Sequence, residues 1–260
     1  MDLYIPSTFG VDQRDDKLKV AAYGRLARAA AIFGVDRLVI YRDDDPKTDE
    51  ARNAELLEKY LSYAETPPYL RKELIPRDPD LEYASIMPAL QIVSHGYTDE
   101  FREAAVVETG EGRSVVEAGL DDRVELPEEV PEGTRLTLHM GEEPRIVDPA
   151  NIDGFWTFTV ENRREDLGDV VSESTVPVVG TSRHGDPLPA FADSRFVDMD
   201  IGLAFGSAWR GLPDLIDRGD CSSEDFAGMY DFVPGQETKT VRTEEAVEIV
   251  LGVVNGLRSL

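Results

Sequence analysis

The feature that most constrains the fold is an alternation of strands and helices that stops near residue 92 and returns near residue 163. We predict strands at 2–7, 37–41, 176–181, 200–205 and 229–233. Helices are predicted at 17–33, 49–63 and 243–257, where apolar residues recur every three or four positions. Strands that alternate with helices form parallel sheets, so both ends of the chain predict one α/β unit.

Between these two parts, from about residue 93 to 160, the predicted segments are short, rich in Val and Thr, and separated by Gly and Pro, as in AAVVE, GTRLTLHM and WTFTV. This pattern is typical of a small antiparallel barrel or sandwich. We therefore predict a discontinuous α/β domain formed by residues 1–92 and 161–260, with a β-domain of residues 93–160 inserted into it.

Charge is distributed unevenly along the chain. The 52 Asp and Glu against 27 Lys and Arg give a net charge of −25, which argues against a protein that binds nucleic acid or anionic lipid by its overall charge. Residues 98–170 carry 20 acids and 7 bases, whereas residues 14–42 carry seven bases and three acids. Only six cations are lysines. We expect such a surface in a halophilic protein, because the Debye length falls to about 3 Å in molar salt.

Several classes of protein are disfavoured by the composition. The single cysteine, Cys221, excludes an intrachain disulfide and agrees with a reducing compartment. The start MDLYIPSTFG has no pattern of a signal peptide, and no segment is apolar enough to cross a bilayer. No His or Cys pair has the spacing of zinc ligands. We therefore expect a cytoplasmic protein with no metal and no membrane contact.

Three predicted strands of the C-terminal part run into loops that contain glycine: VVGTSRHG at 178–185, GLAFGSAWRGL at 202–212 and YDFVPGQETKTVRTEEA at 230–246. Ligands of open parallel sheets bind at the carboxyl ends of strands, and glycine lets the backbone approach them closely. Together the loops could hold an adenosine or a nucleotide, although glycine also ends strands that bind nothing. Neither the P-loop nor the GxGxxG pattern occurs.

The run FVPGQETKTVRTEEAVEIVLGVVN resembles the cofactor loop and last helix of SPOUT-superfamily RNA methyltransferases, and within them the archaeal and eukaryotic family of RNA uridine N3-methyltransferases. The resemblance extends through IPST at 5–8, RAAAIFGVDRLVIYRD at 28–43, ETPPYLRKELIP at 65–76 and the first two glycine loops. It implies a trefoil-knotted α/β domain interrupted by a small OB-like β-barrel. It also implies a homodimer that binds S-adenosylmethionine in the knot.

The resemblance places the cofactor against the three glycine loops. The residues that it implies are Thr181, Ser182, Gly185, Gly206, Gly211, Phe232, Val233, Pro234, Gly235, Gln236 and Val241. The next position is Glu237, where a glycine or another small residue is commoner in the family.

Transfer of a methyl group to uracil N3 requires a base that has lost its N3 proton. A cation near a uracil carbonyl would stabilise that anion, and we take Arg25, Arg28 and Arg242 as candidate catalytic residues. Arg25 and Arg28 belong to the basic first helix, which could instead be a solvated face or a dimer contact.

We predict an S-adenosylmethionine-dependent methyltransferase that acts on uridine N3 in ribosomal RNA. The last helix is apolar over a broad face, which favours a homodimer. Two alternatives remain open. One is a noncatalytic RNA-binding or ribosome-assembly factor, which Glu237 and the lack of an identifiable general base would fit. The other is an α/β enzyme for a small metabolite, with the β-domain as an oligomerisation module.

Overall fold

A computed structural model describes residues 1–207 and 209–260 and contains two β-sheets. The strands are β1 (Asp2–Pro6), β2 (Arg37–Arg42), β3 (Phe101–Gly110), β4 (Arg113–Glu117), β5 (Val124–Leu126), β6 (Arg135–His139), β7 (Arg145–Val147), β8 (Thr159–Asp166), β9 (Val178–Pro187), β10 (Gly202–Ala204) and β11 (Gly228–Asp231). The helices are α1 (Asp16–Phe33), α2 (Glu50–Glu65), α3 (Arg71–Leu74), α4 (Leu167–Ser172), α5 (Leu188–Ala192), α6 (Leu212–Arg218) and α7 (Thr243–Arg258).

Six strands form a parallel sheet in the order β11-β9-β10-β1-β2-β8. Successive side chains of a strand point to opposite faces. Leu3 and Leu38 pack with α1, α2 and α7, whereas Tyr4 and Val39 pack with α4 and α6 on the other face. Burial on both faces explains why the central strands are apolar without alternation. The prediction of an α/β unit with a parallel sheet is confirmed.

Five strands form an antiparallel sheet in the order β5-β4-β3-β6-β7, and all of them lie between residues 101 and 147. This sheet has its own apolar cluster, which includes Val106, Val116 and Leu138. Within residues 1–207 and 209–260, the edge strands β5 and β7 do not pair with each other. A closed OB-like barrel and the domain boundaries at residues 93 and 160 therefore stay predictions.

The sequence pattern assigns the segment WTFTV to the antiparallel unit, but the end of this segment does not belong to that unit. Thr159 and Val160 begin β8, which pairs in parallel with β2 through Arg37 and Leu38. Strand β8 lies at the edge of the parallel sheet and is only partly buried. Because β8 is only partly buried, polar and apolar residues alternate at its start. This alternation is the pattern of an antiparallel strand.

Helix α7 begins at Thr243, where the sequence predicts its start. Arg242 is the N-cap residue, and its backbone N–H donates to Glu245 Oε2 at 3.0 Å. The Thr243 hydroxyl donates instead to the Gly206 carbonyl at 3.1 Å, which ties α7 to the loop after β10. In the described part of the chain, no helix is long and apolar enough to cross a membrane.

A buried ionic cluster joins the antiparallel sheet to the end of helix α2. Arg135 on β6 donates to Glu65 Oε1, at the end of α2, and to Glu103 Oε2 on β3, each at 2.6 Å. Glu103 is 3% exposed, and its second oxygen accepts from Thr137 Oγ1 at 2.7 Å and from Trp156 Nε1 at 2.5 Å. Arg135 is thus the cation that neutralises two buried carboxylates.

Substitution of Arg135 by Ala should lower the free energy of unfolding by about 3 kcal/mol, because it leaves buried carboxylates without a cation. Burial raises the pKa of Glu65, and Arg135 counteracts that rise, so the variant has a still higher Glu65 pKa. Its folded state then binds more protons than its unfolded state, and stability increases as the pH falls.

Urea denaturation at about pH 8 and about pH 5 checks this prediction, and the deficit should be smaller at the lower pH. The matched control is Arg113→Ala on β4. Arg113 pairs with Glu125 at the surface, with side-chain exposures of 54% and 66%, so its loss should cost less than about 1 kcal/mol. An equal deficit at both pH values would show that Glu65 does not take up a proton.

Candidate functional site

The carboxyl ends of β10 and β11, together with residues 181–184 within β9, enclose a pocket of about 460 Å³. These strands are neighbours in the sheet, in the order β11-β9-β10, so these three segments meet at one edge. The start of α7 closes the pocket through Thr243, Ala246 and Val250. A pocket of this volume can hold a drug-sized ligand or a cofactor.

Eight of the eleven residues predicted to bind a cofactor line this pocket. They are Thr181, Ser182, Gly206, Gly211, Phe232, Val233, Gln236 and Val241. Gly185, Pro234 and Gly235 are not among the lining residues. Gly185 packs against β11, where a Cβ would lie 2.6 Å from the Tyr230 backbone nitrogen. The structure thus brings most of the predicted set together, and its role in binding a cofactor stays a prediction.

The floor of the pocket is apolar and its side walls carry hydroxyl groups. Phe205, Phe232 and Val250 are 1%, 4% and 2% exposed. The Phe232 ring is held by Phe191, with ring centroids 4.9 Å apart. Thr181 Oγ1 donates to the Ala204 carbonyl at 2.9 Å, which holds β9 against the end of β10. Such a pocket offers an apolar surface for a planar ring and polar groups around it.

The loop between β10 and α6 leaves no room for a side chain at Gly206. A Cβ there would lie 2.6 Å from the Arg210 carbonyl oxygen and 2.9 Å from Gly211 Cα. The turn is closed by the Ser207 N–H, which donates to the Arg210 carbonyl at 2.8 Å. The Gly211 N–H donates to Asp214 Oδ2 at 2.8 Å, and α6 begins there.

A buried ion pair fixes this loop to the first half of the chain. Arg210 Nε and Nη2 donate to Asp43 Oδ1 at 3.1 and 2.6 Å. Asp43 follows β2 and is fully buried; its second carboxylate oxygen accepts from the Thr8 hydroxyl. Sequence reasoning missed both residues. The only signal for Asp43 is an acid directly after an apolar strand.

Arg183, in the middle of β9, joins that strand to the segment before α7. Its Nη1 donates to the Lys239 carbonyl and its Nε to His184 Nε2, both at 3.1 Å. All three of these residues line the pocket, as does Trp209, whose side chain is 61% exposed. Arg183 and Lys239 are not among the residues that the sequence predicts to be functional.

The three arginines predicted to be catalytic do not line the pocket within the described residues. Arg25 makes a bidentate ion pair with Glu248 on α7, at 2.9 and 2.8 Å. Arg28 donates to two backbone carbonyls of the segment before β3. Arg242 Nε lies 3.5 Å from Asp12 Oδ2. Their catalytic role stays a prediction.

Other reactive side chains offer little chemistry. Burial raises the pKa of the Cys221 thiol to about 12, so a thiolate nucleophile is disfavoured there. Among the residues that the structure describes, no three His, Cys, Asp or Glu side chains are grouped as metal ligands.

The chain is similar to several known proteins. A family described as "Putative RNA methyltransferase" matches residues 1–254. An uncharacterized protein of Halobacterium salinarum is 32% identical over 95% of this chain and 96% of its own length. The 28S rRNA (uridine-N(3))-methyltransferase of Homo sapiens is 26% identical over 98% of this chain and 77% of its own length. A solved RNA 2'-O ribose methyltransferase aligns with all of this chain at 10% identity and a TM-score of 0.41, and the chain spans 57% of that protein.

Substitution of Gly206 by Ala should lower the free energy of unfolding by about 1–3 kcal/mol, because the new methyl group meets backbone that must move. The matched control is Gly211→Ala in the same loop. A Cβ at Gly211 lies 3.5 Å from its nearest non-neighbouring atom, Pro213 Cδ, so its effect should stay within about 0.5 kcal/mol. Thermal and urea denaturation measure both, and similar losses for the two variants would contradict the packing argument.

Proposed function

The chain belongs to the RNA methyltransferase family that matches residues 1–254, and we propose that it methylates N3 of a uridine in ribosomal RNA with S-adenosylmethionine as the methyl donor. The observation that carries the proposal is the pocket formed by three neighbouring strands and closed by α7. The name of the human relative, a 28S rRNA (uridine-N(3))-methyltransferase, supports the choice of N3 and of ribosomal RNA.

The pocket suits S-adenosylmethionine in size and in chemistry. Its volume is about 460 Å³, within the range of cofactor pockets. The buried rings of Phe205 and Phe232 offer the apolar surface that an adenine needs, and Gly206 lets the backbone come close to a ligand. Thr181, Ser182 and Gln236 supply hydroxyl and amide groups for its polar atoms. When bound, the cofactor supplies an electrophilic methyl carbon on a sulfonium sulfur.

The protein must align the uracil with that methyl group and stabilise the deprotonated base. The N3 proton leaves first, to solvent or to a base, and the negative charge spreads over O2 and O4. The residues that line the pocket would hold the cofactor so that its methyl carbon faces the N3 electron pair of the bound base. Fixed alignment and a cation beside the uracil oxygens are the two contributions that side chains can make here.

The proposal includes a homodimer and a trefoil knot formed by the chain around the cofactor loops. Support for the dimer comes from α1 and α7, which pack side by side. A Cβ added to Gly252 on α7 would lie 3.9 Å from Phe33 Cζ on α1. Ile32 on α1 is 59% exposed and Ile249 on α7 is 38% exposed. Exposed apolar residues on adjacent helices are typical of an interface between subunits.

Substitution of Ile249 by Glu should convert a dimer into a monomer, because it places a charge in an apolar interface. Light scattering in high salt measures the molar mass. Leu120→Glu is the matched control, since Leu120 is similarly exposed, at 40%, but lies in the connection between β4 and β5, and this variant should remain dimeric. A wild-type protein of monomeric mass would refute the dimer.

Cofactor binding and methyl transfer test the enzymatic proposal. Calorimetry should show that S-adenosylmethionine binds, and that Phe232→Ala weakens binding about tenfold or more because a buried aromatic wall is lost. Phe101→Ala, on the other sheet, should leave the affinity unchanged.

The reaction itself is followed by mass spectrometry of nucleosides from ribosomal RNA of a strain that lacks the protein, after incubation with the purified protein and labelled cofactor. The expected product is 3-methyluridine. Absence of cofactor binding would instead favour a noncatalytic RNA-binding factor.

A further inference from the structure

We propose that Trp209, Arg183 and Lys239 form the subsite for the target nucleotide at the mouth of the pocket. In this subsite the indole stacks on the pyrimidine base, and the two cations face its anionic oxygens and phosphate. The inference rests on the proposed function, because it assigns the substrate side of the same pocket. Its ligand class is a pyrimidine nucleotide in single-stranded RNA.

The first observation is the exposure of Trp209. The chain has two tryptophans. Trp156 is 5% exposed and its indole N–H donates to Glu103, whereas Trp209 is 61% exposed on the lining of the pocket. A large apolar ring left in water next to a pocket is a stacking surface for a nucleobase. The adjacent Arg210, through its bond to buried Asp43, anchors this loop.

The second observation concerns which of the cations that line the pocket form ion pairs. In a chain with 52 acids and 27 bases, Arg183 and Lys239 have no carboxylate within 4.0 Å among the described residues, whereas the third lining cation, Arg210, is paired with Asp43. Cations without a counter-ion beside a pocket are available to an anionic ligand.

The carboxylates that line the pocket already accept hydrogen bonds from backbone N–H groups. Asp214 accepts from the Gly211 N–H at 2.8 Å, and Asp231 accepts from the Val233 N–H at 2.9 Å. Each carboxylate therefore fixes a loop. Among the residues that the structure describes, the positive charge of Arg183 and Lys239 thus has no ion-pair partner.

The third observation is how Arg183 is held. Its guanidinium donates to the Lys239 carbonyl and to His184 Nε2, and both acceptors are uncharged. Because His184 accepts at Nε2, its ring proton lies on Nδ1. A guanidinium carries five N–H donors, so the remaining donors of Arg183 can bind uracil oxygens or a phosphate while its orientation is fixed.

The position of these residues separates them from the proposed cofactor surface. Phe205 and Phe232 form the buried floor, and a small cofactor can reach it. Trp209, Arg183 and Lys239 are exposed at the rim, where a macromolecular substrate must approach. The floor and the rim can thus hold two different ligands at the same time.

Fluorescence and binding measurements test the subsite with a uridine hexanucleotide as the probe, in the presence of saturating S-adenosylhomocysteine. The probe should quench the emission of wild-type protein, and the quenching should disappear in Trp209→Leu because Trp156 is buried.

Anisotropy with a labelled probe should show about tenfold weaker binding for Trp209→Ala and for Arg183→Ala. Arg123→Ala is the matched control, because Arg123 is an exposed arginine on the antiparallel unit with no carboxylate within 4.0 Å in the part of the chain described.

Calorimetry with S-adenosylmethionine distinguishes this inference from the proposed function. The affinity for S-adenosylmethionine should stay within about twofold of wild type in the Trp209 and Arg183 variants, while methyl transfer to RNA falls about tenfold or more. If Trp209→Ala loses cofactor affinity instead, the ring belongs to the cofactor and the inference is wrong. Wild-type rates of transfer in both variants would also overturn it. A wild-type protein that binds the oligonucleotide but not the cofactor would refute the enzyme and retain the subsite.

Discussion

The pocket depends on one buried charge. Asp43 has no contact with solvent, and an isolated carboxylate in that position would be strongly unfavourable. Its bonds to Arg210 and to the Thr8 hydroxyl satisfy it, and its own backbone N–H donates to the Ser7 hydroxyl at 2.9 Å. The ends of β1 and β2 and the loop after β10 therefore have to come together whenever Asp43 is buried.

The neighbouring contacts add to this constraint. The Tyr41 hydroxyl donates to the Phe205 carbonyl at 2.7 Å, and the Thr243 hydroxyl donates to the Gly206 carbonyl. These two bonds, together with the Asp43 pair, hold the loop from the side of β2 and from the side of α7. The loop residues that line the pocket are thus positioned before any ligand binds, which reduces the cost of ordering them on binding.

Local pattern predicted the elements that bury a regular apolar face. The helices near α1 and α7 and the central strands follow from spacing and from continuous apolar runs, and the meeting of the glycine loops follows from parallel strand order. The partners of charged residues could not be predicted in this way. Asp43 and Arg210 are separated by 167 positions, and Arg25 and Glu248 by 223, so no short window contains both members of either pair. The edge strand β8 was misassigned because its partial burial gives the pattern of an antiparallel strand.

The same separation explains why a count of charges along residues 14–42 does not give the positive charge that is free to bind RNA there. Residues 14–42 have a net positive charge, but Arg25, Arg37 and Arg42 are paired with acids from distant parts of the chain. Cations already paired release few counterions when RNA binds, whereas Arg183 and Lys239 can neutralise phosphate directly. An RNA contact made by a few such cations and by base stacking has a shallow dependence on salt. A chain with a net charge of −25 can therefore bind RNA at a single pocket mouth without a basic surface, and high salt weakens that contact less than it would weaken a basic groove.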